Sequence, residues 1–403
     1  MVSAPLRWRW VIGVAAVCAV YLMVRSIADL HTAFGGGSAV DYLAIASAGR
    51  VVHGGSACVY CPGALAGAQM QLLGYTPAAS GTFPIPFVNP ALMAWLIQPL
   101  ALLPLQTGTD IFVTLNIVAM ALAAAMLARR AAPRLGAPLA ASLVVIAVFS
   151  LEAGTGILLG QSDGLMLLAA TLAIEALTRG RPVIAGLLLV PLLLKPQLVW
   201  LVPPALVVAR QWRMLAALAA GAVVVLVGSV AVAGPAHLMD AVGLVTAPAY
   251  AHLDLQGNSI PALVARPLAS NAAAWAAALT LAAVAVLAMV VLRDTLRRNV
   301  VPSVAIAIGL SVVLSPHLGD YSLMLLAVPV AVLAPRAPGV TVALVAAYTA
   351  ASLFNPLTSL NESTVAVVLV AGLVAVVWRA THAGSGGVAM QLGGRSAAGV
   401  GNA

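Results

Sequence analysis

Charge is what this chain has least of. Charged residues make up 7% of its 403 positions, acids number 11, and Lys195 is the sole lysine. With 63% hydrophobic residues and a mean hydropathy of +1.08, an ordinary soluble enzyme is excluded. The apolar runs are continuous Ala/Leu/Val and lack the alternation of a β-barrel strand, so the fold class is an all-α, polytopic membrane protein. Aromatics are only 5%. No basic, aromatic-rich domain is present, so the net charge of +8 does not point to nucleic acid; the arginines read as anchors of cytoplasmic loops. No acidic cluster argues for a bound divalent ion, so no metal and no cofactor is expected. Cysteine is scarce as well. Cys18 falls inside the first apolar run, and Cys58 and Cys61 form a lone C-x-x-C, short of the ligands zinc needs. A disulfide there stays open.

What is abundant is apolar sequence in pieces of membrane-spanning size. The runs cover 10–28, 90–104, 110–128, 138–152, 162–178, 182–194, 196–209, 214–234, 271–292, 300–314, 321–334, 338–354 and 364–379. Arg7/Arg9, Arg129/Arg130/Arg134, Arg179/Arg181, Arg210/Arg213, Arg293/Arg297/Arg298, Arg336 and Arg379 lie between runs. Placing each cluster in the cytoplasm gives about 12 spans with both ends inside. The first run, behind Arg7 and Arg9, reads as an uncleaved span rather than a removed signal. Two stretches fit poorly: 90–128 must give one net crossing, and 182–209 reads as a broken hairpin bent at Pro196. The membrane domain covers 1–383, with outer loops at 29–88 and 235–270, and 384–403 reads as a disordered cytoplasmic tail. Residues 41–52 read as an amphipathic helix on the membrane surface.

This topology sends the unusual polar groups to one face, the outer one. Asp41 and Tyr42 open the first outer loop. Gln161 and Asp163 turn the 138–178 hairpin. Lys195 sits at the broken hairpin, Asn258 and Arg266 in the second outer loop, and His317 and Asp320 in another turn. Such a set suits transfer of a sugar from a lipid-linked phosphate. An acceptor hydroxyl needs a carboxylate to take its proton, and a departing phosphate needs fixed cations. Each residue also has a plainer reading. Asp41 fits a solvated loop acid, Asp163 and Gln161 fit a helix cap, and His317 fits a turn. Lys195 fits snorkelling to the interface, although a lysine among leucines costs about 2.5–3.5 kcal/mol at a helix centre.

Taken in order, these motifs resemble glycosyltransferase family 87. The matching pieces are Asp41-Tyr42 with the following Leu-Ala-Ile-Ala-Ser-Ala-Gly-Arg and Val59-Tyr60, then Asn89-Pro90, Gln98-Pro99, Gly160-Gln161, Arg179-Gly180-Arg181 and Leu194-Lys195-Pro196. Gly257-Asn258-Ser259, Ser315-Pro316-His317 and Asp320-Tyr321 complete the set. The resemblance implies a type C glycosyltransferase fold using a polyprenyl-phosphate sugar, mannose by analogy, with a glycolipid or glycan acceptor at the outer face of the plasma membrane. It implies Asp41 as general base and His317 near the donor phosphate. Lys195, Gln161, Asp163, Asn258, Arg266, Asp320 and Tyr42 are the expected donor-phosphate and substrate contacts. The chain departs from the family at Tyr42, where Phe is common, at Ala91, where Pro is common, and at Asp163, where Asn is common and the acid adds a negative charge. A secondary transporter or flippase of lipid-linked sugars is the alternative; it should carry its polar groups near the bilayer midplane. A ligase joining a lipid-linked polymer to an acceptor would need a larger outer loop than 235–270.

Overall fold

The apolar runs fold as helices. The structure is a computed structural model that describes residues 6–34, 39–74, 84–149, 151–246, 259–268, 270–315 and 320–335, with no strand among them. In chain order the helices are α1 (Leu6–Phe34), α2 (Val40–His53), α3 (Pro62–Leu73), α4 (Ala91–Ala101), α5 (Leu105–Leu135), α6 (Ala137–Val148), α7 (Leu151–Leu159) and α8 (Asp163–Thr178). There follow α9 (Pro182–Leu188), α10 (Val202–Val208), α11 (Trp212–Thr246), α12 (Ile260–Ala265), α13 (Asn271–Val291), α14 (Arg293–Arg298), α15 (Val300–Val313) and α16 (Ala327–Leu333). The expected spans at 338–354 and 364–379 and the tail lie outside the described residues.

Among the described residues, three stretches have the length and apolarity to cross a bilayer: Leu105–Pro133, Trp212–Ala241 and Ala272–Val291. A fourth arises if Ala137–Val148 and Ala153–Leu159, bent by 46°, act as one span. Within the awkward stretch 90–128 the two pieces are unequal. At 11 residues α4 covers only about 16 Å, half of a hydrocarbon core, whereas α5 has 31 residues. The stretch 182–209 is broken more than once. Between α9 and α10 lie two 3-10 segments, Val190–Leu194 and Pro196–Leu198.

Two expectations need correction. Residues 41–52 do form a helix, but α2 does not lie on a surface: Tyr42 to Gly49 and Val51 are buried. The run Ala44, Ala46, Ser47, Ala48 and Gly49 presents little side chain, so α4 packs directly on it. A Cβ on Gly49 would sit 2.8 Å from Ala101 Cβ. Nor is the segment 235–270, expected as an outer loop, without helix at its start. Helix α11 turns at Gly234 (φ 76°, ψ 157°) and continues to Thr246, with Pro235 in the position that suits a helix start.

Two cores result. The larger joins α5, α8, α10, α15 and α16 through side chains such as Leu167, Ile174, Leu206, Ile308 and Val328. The smaller joins α2, α3, α4 and α5 through Tyr42, Leu65, Ala94 and Phe112. The polar residues of interest stand where the two meet.

Candidate active site

Four segments distant in sequence deliver one chain of polar side chains. Asp41 stands in the first turn of α2, where unpaired backbone amides favour a carboxylate. Gln161 follows Gly160, whose φ of 72° ends α7. The ending is a Schellman turn: Gln161 N–H donates to Gly156 O at 2.9 Å and Gly160 N–H to Ile157 O at 3.1 Å. Asp163 opens α8. Lys195 lies between the two 3-10 segments, in an extended conformation (φ −132°, ψ 78°) that the following Pro196 favours. Tyr321 and Ser322 come from a third 3-10 segment, Asp320–Leu326.

Gln161 is the bridge. Its amide N–H donates to Asp41 Oδ2, and its amide oxygen accepts from Lys195 Nζ. Only this orientation works, because a carboxylate accepts and an ammonium donates. Lys195 Nζ also donates to Asp163 Oδ2 at 2.5 Å, and Ser322 Oγ donates to Asp163 Oδ1 at 2.5 Å. The ammonium lies 4.7 Å from the centroid of the Tyr321 ring, over its face.

Burial is graded along this chain. Asp163 is 0% exposed, Ser322 2% and Lys195 8%, whereas Asp41 and Gln161 are half-buried. The Asp163 end is closed by protein, and the Asp41 end is the less buried one. Lys195 therefore does not snorkel; its charge is held inside and offset by Asp163. The extra acid at position 163 is likewise no free negative charge. Nor does it cap α8: its oxygens are taken by Lys195 and Ser322, while the Leu165 N–H of that helix is capped from α5 by Asn116 Oδ1 at 3.2 Å. Burial raises the Asp41 carboxyl above the ordinary carboxylate range, against the opposing pull of the Gln161 hydrogen bond and the Lys195 charge; Asp163 adds a further upward push.

Tyr42 sits in the smaller core at 1% exposure. Its ring leans on Phe112 with centroids 5.2 Å apart, and its hydroxyl lies against Gly108. Burial pushes its pKa up to about 12. It packs beneath the site instead of lining it. Its Cβ meets Gly160 so closely that a Cβ at that position would lie 2.6 Å away. Gly160→Ala therefore combines strained backbone with a clash. It is expected to separate Asp41 from Gln161 and lower activity at least tenfold (about 1.4 kcal/mol), read as initial rate per unit of folded protein.

Of the residues expected from sequence, the structure brings together Asp41, Gln161, Asp163 and Lys195. Asn258 and His317 lie outside the described residues, as do the side chains of Arg266 and Asp320, whose backbones begin 3-10 segments. Ser322 and the ring of Tyr321 were not singled out as site groups by the sequence reading. The available signal was their place directly after Asp320, in a turn already rich in polar residues.

Long apolar helices around a buried, ionised cluster define an integral membrane protein with a polar centre at the junction of helix ends. The model for Glycosyltransferase family 87 matches residues 87–316, more than half of the chain, and the chain belongs to that family. It is a membrane glycosyltransferase. The match takes in Gln161, Asp163 and Lys195; Asp41 precedes it, and Tyr321 and Ser322 follow it. No curated protein and no solved structure matches the chain.

Proposed function

We propose that the protein transfers a sugar, mannose by family analogy, from a polyprenyl-phosphate donor to a glycolipid or glycan acceptor. The reaction is a single displacement that inverts the anomeric centre. One observation carries this reading: a single amide, Gln161, holds a carboxylate on one side and an ammonium on the other. Asp41, at the accessible end, takes the acceptor's proton as its hydroxyl oxygen bonds to the anomeric carbon. The bond from that carbon to the phosphate oxygen breaks, and its electron pair leaves with the polyprenyl phosphate. Lys195 meets the growing negative charge. Asp163, Ser322 and Tyr321 hold the ammonium in place. His317, Asn258, Arg266 and Asp320 belong to the same proposal as donor or acceptor contacts. So does the membrane arrangement of about 12 spans, both termini inside and the site at the outer face of the plasma membrane.

The direct test is mass spectrometry of cell-envelope lipids after deletion of the protein, paired with transfer assays in membranes supplied with polyprenyl-phosphate mannose. A lost hexose in the lipids and donor-dependent transfer support the reading. An unchanged lipid profile with no transfer overturns it. The pH profile offers a second check. A base acts when deprotonated, so activity is present above the Asp41 pKa and falls as pH drops through it. Because burial raises that pKa, the acid limb of kcat/KM is expected above the ordinary carboxylate range. A limb at or below that range would contradict the assignment.

A further inference from the structure

A second cluster lies apart from Asp41 and Lys195. Cys58 and Cys61, just beyond α2, meet His237 on the part of α11 that follows the Gly234 turn; one ligand atom from each residue falls within 4.8 Å of the others. Cys58 Sγ is 3.7 Å from His237 Nδ1, across 179 residues of sequence. In a tetrahedral zinc site, bond lengths near 2.3 Å for sulfur and 2.0–2.1 Å for nitrogen put the two donors about 3.5 Å apart. Asp240 Oδ2 lies 2.7 Å from the same imidazole nitrogen.

The local backbone is built for such a role. Cys61 N–H donates to Cys58 O at 3.1 Å, a turn that folds both sulfurs to one side. Cys61 is also the residue that starts α3, and a helix start favours the thiolate. All three ligand residues are half-buried. The surroundings are packed: Val59 and Tyr60 beside the cysteines share the smaller core with Ala233 and Ala241 of α11. The structure joins Cys58 and Cys61 as a disulfide, so a thiolate metal site belongs to the reduced form of this pair.

We propose that Cys58, Cys61 and His237, once the cysteine pair is reduced, bind a thiolate-preferring divalent cation of the zinc class, with solvent as the fourth ligand. The thiols bind as thiolates and release two protons to solvent on metal entry. The ion would tie the first outer segment to α11 and so fix the end of the α2–α4 unit opposite Asp41. Its role is structural, distinct from sugar transfer.

The test uses the full-length protein in detergent, kept reduced with a phosphine and supplied with zinc, then with cobalt(II). The expected result is about one zinc per chain and the visible bands of tetrahedral thiolate-bound cobalt. Cys58→Ser and His237→Ala should abolish both. Asp41→Asn should retain the metal in full. Zinc binding no greater than in Cys58→Ser, or a protein isolated from membranes with the Cys58–Cys61 disulfide closed and unable to take up zinc after reduction, would overturn the proposal.

Discussion

Asp41→Asn should reduce sugar transfer by about 10²–10⁴-fold, the usual contribution of a positioned general base, with the protein still made and folded. Asparagine has nearly the shape of aspartate, and its amide oxygen can still accept the Gln161 N–H that Asp41 accepts now. What is lost is basicity. The measurement is initial rate in membranes supplied with polyprenyl-phosphate mannose, normalised to protein detected by immunoblot. Full retained activity would remove Asp41 from the mechanism. A loss accompanied by disappearance of the protein would point to folding instead, and thermal unfolding in detergent separates the two.

Lys195→Met should have the largest effect on stability. Asp163 is 0% exposed, and its carboxylate faces the ammonium at 2.5 Å. Removing one partner of a buried ion pair leaves the other charged and uncompensated, which costs roughly 3–5 kcal/mol. Methionine keeps much of the stem volume, so the loss reports the charge and not a cavity. Adding Asp163→Asn removes the stranded charge and should recover most of the unfolding temperature. Transfer should not recover, because the proposed mechanism then lacks its cation for the departing phosphate. A double variant that is both stable and active would make Lys195 a purely structural residue.

The helices were legible because continuous apolar runs without strand alternation are a strong one-dimensional signal. Lys195 was legible for a related reason: a lone cation among leucines demands an explanation. Its partner was not. Asp163 lies 32 residues away, and the plain reading of an acid at a helix start is a cap. Only packing shows that Asn116 of α5 serves that helix start, leaving Asp163 for the lysine. Helix α2 was misread in location because a mixed polar and apolar pattern shows that one face is buried, not what buries it. Its small residues are the better guide, since they admit α4. The helical stretch after Gly234 escaped notice because Gly-Pro normally signals an end, and here it ends one helix and starts another.

The orientation of the Gln161 side chain has a consequence for timing. Its nitrogen end answers to an anion and its oxygen end to a cation, so the group is a dipole clamped at both poles. In the proposed reaction, when Asp41 gains a proton the grip on the nitrogen end slackens, and the oxygen end is freed to loosen its hold on Lys195 as the phosphate leaves. On that proposal, deprotonation of one substrate and departure of the other are geared together by one neutral side chain.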